Sequence, residues 1–417
     1  MKVLIIGGGG REHAIAVQLK KSNKVTKLYC LPGNAGISEI AECAPISVMD
    51  FDGIYAFILQ NGGMDMVVVA PDDPLAGGLV DYLTKKGVRA FGPNARAANL
   101  EASKSFAKNL MKKYGIPTAS YETFDNFDSA VAYVKNKKHP IVLKADGLAL
   151  GKGVIISESV EQSIETLSDM MQNHMFGAAG ASVVIEEFMT GKEVSVLAFT
   201  DGKTIKPMVS SQDHKRAYDN DKGLNTGGMG TFSPSKAFTP EICAEFEKNI
   251  MYPTLKALQN EGIEFKGVIY FGIMLTPSGV KVVEYNARFG DPETQVVLPR
   301  LKTDIYDIFN AVIDKTLDKI NIEWYDNCAV CVIIASGGYP IKYEKGLEIK
   351  IGNIENVTLY HAGTKIVDGK LLSSGGRVIG VTAVADSIDN ARKIAYKAVD
   401  NIDFNGKQFR TDIGIKL

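Results

Sequence analysis

The chain has 417 residues, enough for about two to four domains at roughly 150 residues each. Its 47 Lys and Arg residues balance 48 Asp and Glu residues, and the net charge of −1 argues against a generally basic nucleic-acid binder. No apolar run approaches the roughly 20 residues that cross a bilayer, and the glycine-rich start does not resemble a signal peptide. Five scattered cysteines favour a reducing compartment. We therefore expect a cytoplasmic globular protein with no membrane or nucleic-acid partner.

The first hundred residues alternate short apolar runs with helical patterns. The apolar runs predict strands at 3–6, 27–31, 66–70 and 88–91, and the helical patterns predict helices at 11–20 and around 99–114. Buried strands separated by helices are typical of a doubly wound parallel sheet. We predict an α/β domain over residues 1–102.

The rest of the chain is predicted to form two further domains. Over 103–325 the patterns predict strands at 141–145, 154–157, 183–188, 193–200, 267–275 and 280–285 and a helix at 241–260. The polar, glycine-rich stretch 210–231 is long for a passive connection, so we predict a lid or binding loop there. Over 326–417, strands at 329–335, 358–361 and 378–384 and a helix at 388–402 predict a small α+β domain.

A glycine cluster between the first strand and the first helix is typical of an anion site at a helix N-terminus. The segment Gly7-Gly8-Gly9-Gly10-Arg11-Glu12-His13 matches the dinucleotide fingerprint only in part, because Glu12 takes the third glycine position. The second strand also lacks the acidic end that holds an NAD ribose. The cluster is either a tight structural turn or a site for a phosphorylated small molecule. Loops 32–36 and 71–75 follow neighbouring strands and belong to the same sheet edge.

The segment from Lys144 to Val154 reads K-A-D-G-L-A-L-G-K-G-V. It is not a P-loop, because three residues separate its glycines and Gly153 follows Lys152. A glycine-rich hairpin of this kind can fold over nucleotide phosphates, with backbone donors and Lys144 neutralising charge. A plain hairpin turn is the alternative.

A polar pair near the end of the last central strand suggests a metal site. Glu284 and Asn286 are two residues apart, so they share one face of a strand. Carboxylate and amide oxygens suit Mg²⁺, which is commonly shared with substrate phosphates. The alternative is a hydrogen-bonded pair at a strand end. Neither a G-x-S-x-G elbow nor a complete zinc spacing occurs, and Cys328 and Cys331 fit core packing better than metal binding.

Motifs from one end of the chain to the other follow one known pattern. They are G-G-G-G-R-E-H-A from Gly7, P-G-N-A-G from Pro32, F-G-P from Phe91, the segment from Lys144, S-Q-D-H-K-R from Ser211, N-T-G-G-M-G from Asn225, R-F-G-D-P-E-T-Q from Arg288, G-G-Y-P from Gly337 and H-A-G-T from His361. Together they resemble the ATP-grasp superfamily and, within it, the glycinamide ribonucleotide synthetase (phosphoribosylamine–glycine ligase) family.

The resemblance implies that ATP lies between two sheets of the central domain. Lys104 and Lys144 would approach the phosphates, and the loop containing Gly147, Gly151, Lys152 and Gly153 would close over them. Glu186, Glu187, Phe188 and Met189 would hold adenine, and Glu193 would face the ribose. Glu284 and Asn286 would hold Mg²⁺ or Mn²⁺. Asp213, Lys215 and Arg288 would contact glycine and the transferred phosphate, and phosphoribosylamine would bind at Gly9, Gly10, Arg11, Glu12, Gly33 and Asn34.

The implied reaction, a step of purine biosynthesis, joins glycine to 5-phosphoribosylamine and gives glycinamide ribonucleotide, ADP and phosphate. Because oxide is a poor leaving group, the glycine carboxylate would first accept the γ-phosphoryl group as glycyl phosphate. Such a reaction needs positioning and charge neutralisation rather than a protein nucleophile. The expected partners are small-molecule substrates, and the expected state is a monomer or weak homodimer.

Two positions depart from the family pattern, and three other functions remain alternatives. Leu150 stands where the family usually has a smaller residue, and Ala70-Pro71-Asp72 replaces G-P-E near the expected sugar-phosphate site. The nearest alternative is another ATP-dependent carboxylate–amine ligase or a biotin-type carboxylase. A nucleotide-binding sensor would bind ATP without turnover. A nicotinamide dehydrogenase is disfavoured by the missing acidic residue.

Overall fold

The computed structural model describes residues 1–149 and 153–415. Five strands begin the fold: β1 (Lys2–Gly7), β2 (Lys27–Pro32), β3 (Glu42–Cys43), β4 (Met66–Val69) and β5 (Ala90–Phe91). The helices around them are α1 (Gly10–Lys21), α2 (Phe51–Gln60), α3 (Asp72–Ala76), α4 (Leu79–Lys85) and α5 (Ala95–Ala102). The strands form a parallel sheet in the order β3-β2-β1-β4-β5, which confirms the predicted doubly wound architecture.

The central part contains two four-stranded sheets. Its strands are β6 (Tyr121–Phe124), β7 (Ile141–Ala145), β8 (Val154–Ser157), β9 (Val183–Glu187), β10 (Lys192–Thr200), β11 (Ile205–Pro207), β12 (Gln212–Asp213), β13 (Arg216–Tyr218), β14 (Lys222–Asn225), β15 (Gly230–Ser233), β16 (Gly267–Thr276) and β17 (Gly279–Asn286). Its helices are α6 (Lys104–Tyr114), α7 (Phe127–Val134), α8 (Val160–Met171), α9 (Pro240–Phe246), α10 (Tyr252–Asn260), α11 (Thr294–Val297) and α12 (Ile305–Asp314). The two sheets run β6-β9-β7-β8 and β11-β10-β16-β17.

The stretch 210–231, predicted as a lid or binding loop, is built from short strands. β13 and β14 form a hairpin, whereas β12 pairs with β15 and β15 pairs with a strand of the last quarter of the chain. These strands have only two to four residues each, which is too short to show an apolar period. The segment is therefore held at both ends by a sheet.

The last quarter completes that sheet. Its elements are β18 (Cys328–Ser336), β19 (Lys350–Ile351), β20 (Val357–His361), β21 (Thr364–Val367), β22 (Lys370–Ser373), β23 (Arg377–Ala385), α13 (Ile388–Val399), β24 (Ile402–Asp403) and β25 (Lys407–Gln408). The antiparallel order is β12-β15-β18-β23-β20, and α13 packs against β18 and β23. The predicted division of the chain after residues 102 and 325 stays a prediction.

One apolar core joins the three parts. It contains Ile5 of β1, Phe199 of β10, Phe309 of α12 and Cys331 of β18, all nearly or fully buried. Over the described residues, the helices are too short or too polar to cross a membrane. The shared core fixes the parallel sheet against the β11-β10-β16-β17 sheet, and a cleft lies between the two central sheets.

Candidate functional site

A cleft of about 430 Å³ lies between the two central sheets. Val142 and Ile156 line one wall, and Met274 and Tyr285 line the other. The volume lies in the range of small-molecule sites, and apolar walls suit a flat aromatic ring. The predicted placement of a ligand between two sheets therefore has a cavity to occupy.

Two buried lysines share one carboxylate deep in the cleft. The Nζ of Lys144 lies 2.9 Å from Oε1 of Glu186 and donates to the Val283 carbonyl at 3.1 Å. The Nζ of Lys108 lies 3.0 Å from Oε2 of Glu186, and all three side chains are nearly completely buried. Burial lowers the pKa of Lys108 to about 8, although Glu186 opposes the shift. Sequence analysis predicted Lys144 and Glu186 but missed Lys108.

The connection from β9 to β10 forms the edge of this cavity. Glu187, Phe188 and Met189 line it, and Glu193 follows at the start of β10. The Glu187 amide donates to the Ser120 carbonyl at 3.0 Å, which ties the connection to the chain before β6. The segment presents backbone and side-chain groups to the edge of the cavity, where the resemblance predicts an adenine ring.

Lys104 anchors the start of the glycine-rich loop. It is the first residue of α6, and its Nζ donates to the Gly147 carbonyl at 2.9 Å. Burial lowers the pKa of Lys104, whereas Glu284 opposes that shift. Gly153 lines the cleft at the far end of the loop. The predicted residues Gly151 and Lys152, and the departure at Leu150, lie outside the described residues.

The predicted metal pair faces the cleft beside a lysine. Glu284 and Asn286 both line it from β17. The Nζ of Lys215 lies 3.4 Å from Oε1 of Glu284 and 3.2 Å from Oε2 of Glu193. Lys215 is the main reason that the pKa of Glu284 falls to about 2, so its carboxylate is ionised and able to bind a cation.

The donor set fits Mg²⁺ rather than a closed metal centre. In residues 1–149 and 153–415, no three His, Cys, Asp or Glu side chains converge on one metal position. Magnesium ions are usually held by one or two carboxylates together with phosphate oxygens and water. Glu284 and Asn286 meet that requirement.

Asp213 lies next to a buried polar network. Removal from water raises the pKa of Asp213 to about 8, and Glu293 adds to the shift while Lys215 opposes it. The Tyr270 hydroxyl donates to Oε1 of Glu293 at 3.1 Å and lies 2.9 Å from the Ser195 hydroxyl. Its surroundings therefore favour the protonated form of Asp213 more than water does.

Three arginines line the end of the cleft next to the parallel sheet: Arg11, Arg288 and Arg377. Nη2 of Arg288 lies 2.7 Å from Oε1 of Glu101, a residue with 8% exposure. Burial raises the pKa of Asp72, but Arg288, Arg11 and backbone hydrogen bonds at Asp72 and Asp73 together lower it overall. This end brings together arginines from all three parts of the chain.

The remaining predicted sugar-site residues form loop contacts outside the cleft lining. Glu12 accepts from the Gly9 amide at 2.6 Å and pairs with Arg11, so it caps α1. Asn34 donates to the Gly8 carbonyl at 2.9 Å and to the His361 carbonyl at 2.7 Å. Gly33 donates to the Gly7 carbonyl at 3.1 Å, and Gly10 begins α1. These residues shape the loops beside Arg11.

Most predicted site residues thus come together in one cavity. Those lining it are Arg11, Lys104, Lys144, Gly153, Glu186, Glu187, Phe188, Met189, Glu193, Asp213, Lys215, Glu284, Asn286 and Arg288. Sequence reasoning missed lining residues outside the motifs or unassigned within them: Glu101, Lys108, Tyr270, Asp291, Glu293 and Arg377. A usable signal existed for Glu101, since it shares the buried face of α5 with Ala97.

Comparison with known proteins covers nearly the whole chain. Three models of phosphoribosylglycinamide synthetase match: the N domain at residues 1–101, the ATP-grasp (A) domain at 102–294 and the C domain at 329–416. A phosphoribosylamine–glycine ligase of Caldanaerobacter subterraneus is 47% identical over 414 residues, 99% of each chain.

Solved structures extend the comparison. The phosphoribosylamine–glycine ligase of Thermotoga maritima superposes with a TM-score of 0.88 at 33% identity, covering 99% of this chain and 100% of that one. The biotin carboxylase domain of a Hydrogenobacter thermophilus 2-oxoglutarate carboxylase, solved with MgADP and bicarbonate, has a TM-score of 0.72. It covers 98% of this chain and 91% of that one, and its 16% identity shows a shared fold alone.

Proposed function

Since this chain belongs to the phosphoribosylglycinamide synthetase family, we propose that its cleft joins glycine to 5-phosphoribosylamine while ATP is cleaved to ADP and phosphate. It is an ATP-dependent ligase of purine biosynthesis. The observation that carries the proposal is the convergence of Lys104, Lys144 and the Glu284–Asn286 pair on one cavity between two sheets. Neither Ser nor Cys lines the described part of that cavity, as suits a reaction between substrates.

ATP binds with its adenine at Glu186, Glu187, Phe188 and Met189 and its ribose towards Glu193. Lys104 and Lys144 then point towards the phosphates. The described loop residues Gly147 and Gly153 lie beside them. The apolar walls on both sheets and the buried Lys144–Glu186 pair support this orientation.

Glu284 and Asn286 hold Mg²⁺, or Mn²⁺, against the phosphates. A bound divalent ion would neutralise phosphate charge there. Lys215 contributes a second positive charge beside Glu284. The low pKa of Glu284 supports this role, because an ionised carboxylate is the form that binds a cation.

Glycine binds with its ammonium group towards Asp213 and its carboxylate towards Arg288 and Lys215. A carboxylate oxygen attacks the γ-phosphorus, the bond from phosphorus to the bridging oxygen breaks, and ADP leaves. The amine of phosphoribosylamine then attacks the carbonyl carbon of glycyl phosphate, inorganic phosphate leaves, and the nitrogen loses a proton. Gly9, Gly10, Arg11, Glu12, Gly33 and Asn34 form the sugar-phosphate side of the site.

We place the enzyme in the cytoplasm, as a monomer or weak homodimer that acts on small molecules without a membrane or nucleic-acid partner. The balanced charge supports the absence of a nucleic-acid partner.

The test is ADP release with Mg²⁺, glycine and phosphoribosylamine generated in the cuvette, with each substrate omitted in turn. Turnover that needs both glycine and the sugar amine is the expected result. Turnover with another acid or amine would reassign the substrate, and bicarbonate-dependent turnover would indicate a carboxylase. Tight ATP binding without turnover with any acid would contradict an enzymatic role.

A further inference from the structure

A turn at residues 225–228 stands at the cleft beside Lys215. Asn225, Thr226 and Gly227 line the cavity. The amide and the hydroxyl of Thr226 both donate to the Lys215 carbonyl at 2.8 Å, and the Gly228 amide donates to the Thr226 hydroxyl at 2.9 Å. The backbone of Lys215 is therefore fixed by this turn.

Two side chains from the last quarter of the chain form hydrogen bonds with the same turn. Nη1 of Arg377 donates to the Gly227 carbonyl at 2.8 Å and to the Asp291 carbonyl at 2.7 Å. The Tyr339 hydroxyl accepts from the Gly227 amide at 3.2 Å. Both backbone groups of Gly227 are thus bound by side chains more than a hundred residues away in sequence.

The turn has no room to shift towards its neighbours. Gly228 has a φ of +113°, and a Cβ there would lie 2.5 Å from Cδ of Pro292. A Cβ on Gly227 would lie 3.0 Å from Cζ of Arg377. Asp291, which precedes Pro292, also pairs with Nη2 of Arg377 at 3.4 Å. The turn, the segment after β17 and the start of β23 form one packed unit.

We propose that Arg377 and Tyr339 are positioning residues for the ligase reaction. They hold the 225–228 turn, and the turn holds Lys215 with its ammonium group between Glu193 and Glu284. The C-domain thereby takes part in phosphoryl transfer without its Arg377–Tyr339 pair contacting the reacting atoms. The expected loss of kcat rests on the proposed function, whereas the expected loosening of the 225–228 turn does not.

The kinetic test compares Arg377→Met, Arg377→Lys and Tyr339→Phe with the control Tyr325→Phe, which removes an exposed hydroxyl. We expect Arg377→Met to lower kcat about 10- to 100-fold, the size of effect caused by misplacing a catalytic group by about 1 Å. Tyr339→Phe should lower kcat about three-fold, as the loss of one hydrogen bond predicts. Arg377→Lys should recover part of the loss, and the Kd of MgADP should stay within about two-fold of wild type, since the adenine end of the cleft is unchanged.

Two further measurements separate positioning from a structural role. In a Lys215→Met background, Arg377→Met should cause little additional loss of kcat, because both changes remove the same contribution. Hydrogen exchange of the amides at 226–230 should be faster in Arg377→Met and Tyr339→Phe than in wild type, whatever reaction the enzyme catalyses.

Wild-type kcat in both Arg377→Met and Tyr339→Phe would overturn the proposal, as would an undiminished effect of Arg377→Met in the Lys215→Met background. If Arg377→Met does not fold, Tyr339→Phe alone decides through kcat and hydrogen exchange. Inactive wild-type enzyme would refute the ligase function, while unchanged exchange at 226–230 would refute the positioning contact. The two failures are therefore distinguishable.

Discussion

Individual side chains in the cleft form ion pairs at short range. Lys215 stands between Glu193 and Glu284, and Lys144 and Lys108 share Glu186. Such pairs are already oriented before substrates bind, so little reorganisation is needed as charge moves during phosphoryl transfer. The chemistry is therefore sensitive to individual side chains.

Replacing Glu284 by Ala tests the metal position. We expect activity to fall about 100- to 1000-fold, the usual loss for one preorganised electrostatic contact, with an unchanged far-UV circular-dichroism spectrum. Glu348→Ala is the matched control, because that carboxylate pairs with Lys370 on an exposed hairpin. Near-wild-type turnover of Glu284→Ala would remove Glu284 from the metal site.

Asp213 makes the stability of the enzyme depend on pH. Its pKa rises from an ordinary 3.8 to about 8, so the folded state holds a proton that the unfolded state has lost over that range. The free energy of unfolding therefore falls as pH rises from about 4 to about 8, and Asp213→Asn should weaken this dependence. Urea unfolding at pH 5 and pH 8 measures the difference. The exposed variant Asp318→Asn should follow wild type, and an identical dependence in Asp213→Asn would be inconsistent with the shift.

Glycine binding provides a second test of the protonation state of Asp213. If the glycine ammonium group pairs with this carboxyl, Asp213 must ionise, and binding at pH 7 releases a proton. Calorimetry in two buffers of different ionisation enthalpy reports that proton. Asp213→Asn should abolish the release, and glycine binding without any proton release in wild type would place the ammonium group elsewhere.

At the scale of elements, strands with a run of apolar residues could be predicted from the sequence, and the polar, glycine-rich strands could not. β7 and β8 have the predicted bounds, because each is a run of four or five mostly apolar residues, which leaves a clear pattern. The helical pattern at 99–114 is instead two helices, α5 and α6, separated at Ser103, whose side chain accepts from the Phe106 amide. β12 and β15 carry no local signal, because their partners lie far along the chain.

The candidate site likewise contains residues that could be predicted from the sequence and residues that could not. Motif residues such as Lys144 and Glu284 could be predicted, because their glycine-rich or strand context is local. Arg377 reaches the cleft from β23 only through tertiary packing. Lys108 lies one helical turn after Lys104, so both residues lie on one face of α6. The burial of Lys108, however, depends on β9, which carries its partner Glu186. Residues such as Arg377 and Lys108 can be assigned to the site only once the fold is known.

The two glycine-rich loops of the parallel sheet touch through backbone atoms. A Cβ on Gly8 would collide with the Gly33 carbonyl, so Gly8→Ala should push these loops apart. We expect the KM for phosphoribosylamine to rise at least about ten-fold with a smaller change for ATP, because only the sugar side is displaced. Gly63→Ala is the control, since nothing lies within 4 Å of its Cβ position and its φ of +85° costs stability alone. Equal effects on both substrates would contradict a sugar-specific role.

At the scale of the whole molecule, the three parts of the chain pack around a common apolar core. β1, β10 and β18 contribute to one apolar core, and Asn34 binds the first part to His361 of the last. The single Trp324 lies partly buried against this core. Separate unfolding of one part would therefore expose apolar surface on the others.

Thermal unfolding should accordingly be one transition. Trp324 fluorescence and far-UV circular dichroism should give the same Tm, because the parts lose their shared core together. Saturating MgADP should raise it, since a ligand at 100 times its Kd stabilises the folded state by about 2.7 kcal/mol. Two separated transitions would show that the parts unfold independently, and an unchanged Tm with MgADP would argue against nucleotide binding.

The pairing of β15 with β18, and of β18 with β23, has a consequence for synthesis on the ribosome. When Lys215 and the 225–228 turn leave the exit tunnel, the strands and the arginine that hold them are still untranslated. A nascent chain can close the parallel sheet early, but its 225–228 turn gains the contact with Arg377 only after residue 377 has been translated. A chain truncated before residue 377 lacks β23, which leaves one edge of β18 without its partner, and an exposed strand edge of this kind is a template for aggregation.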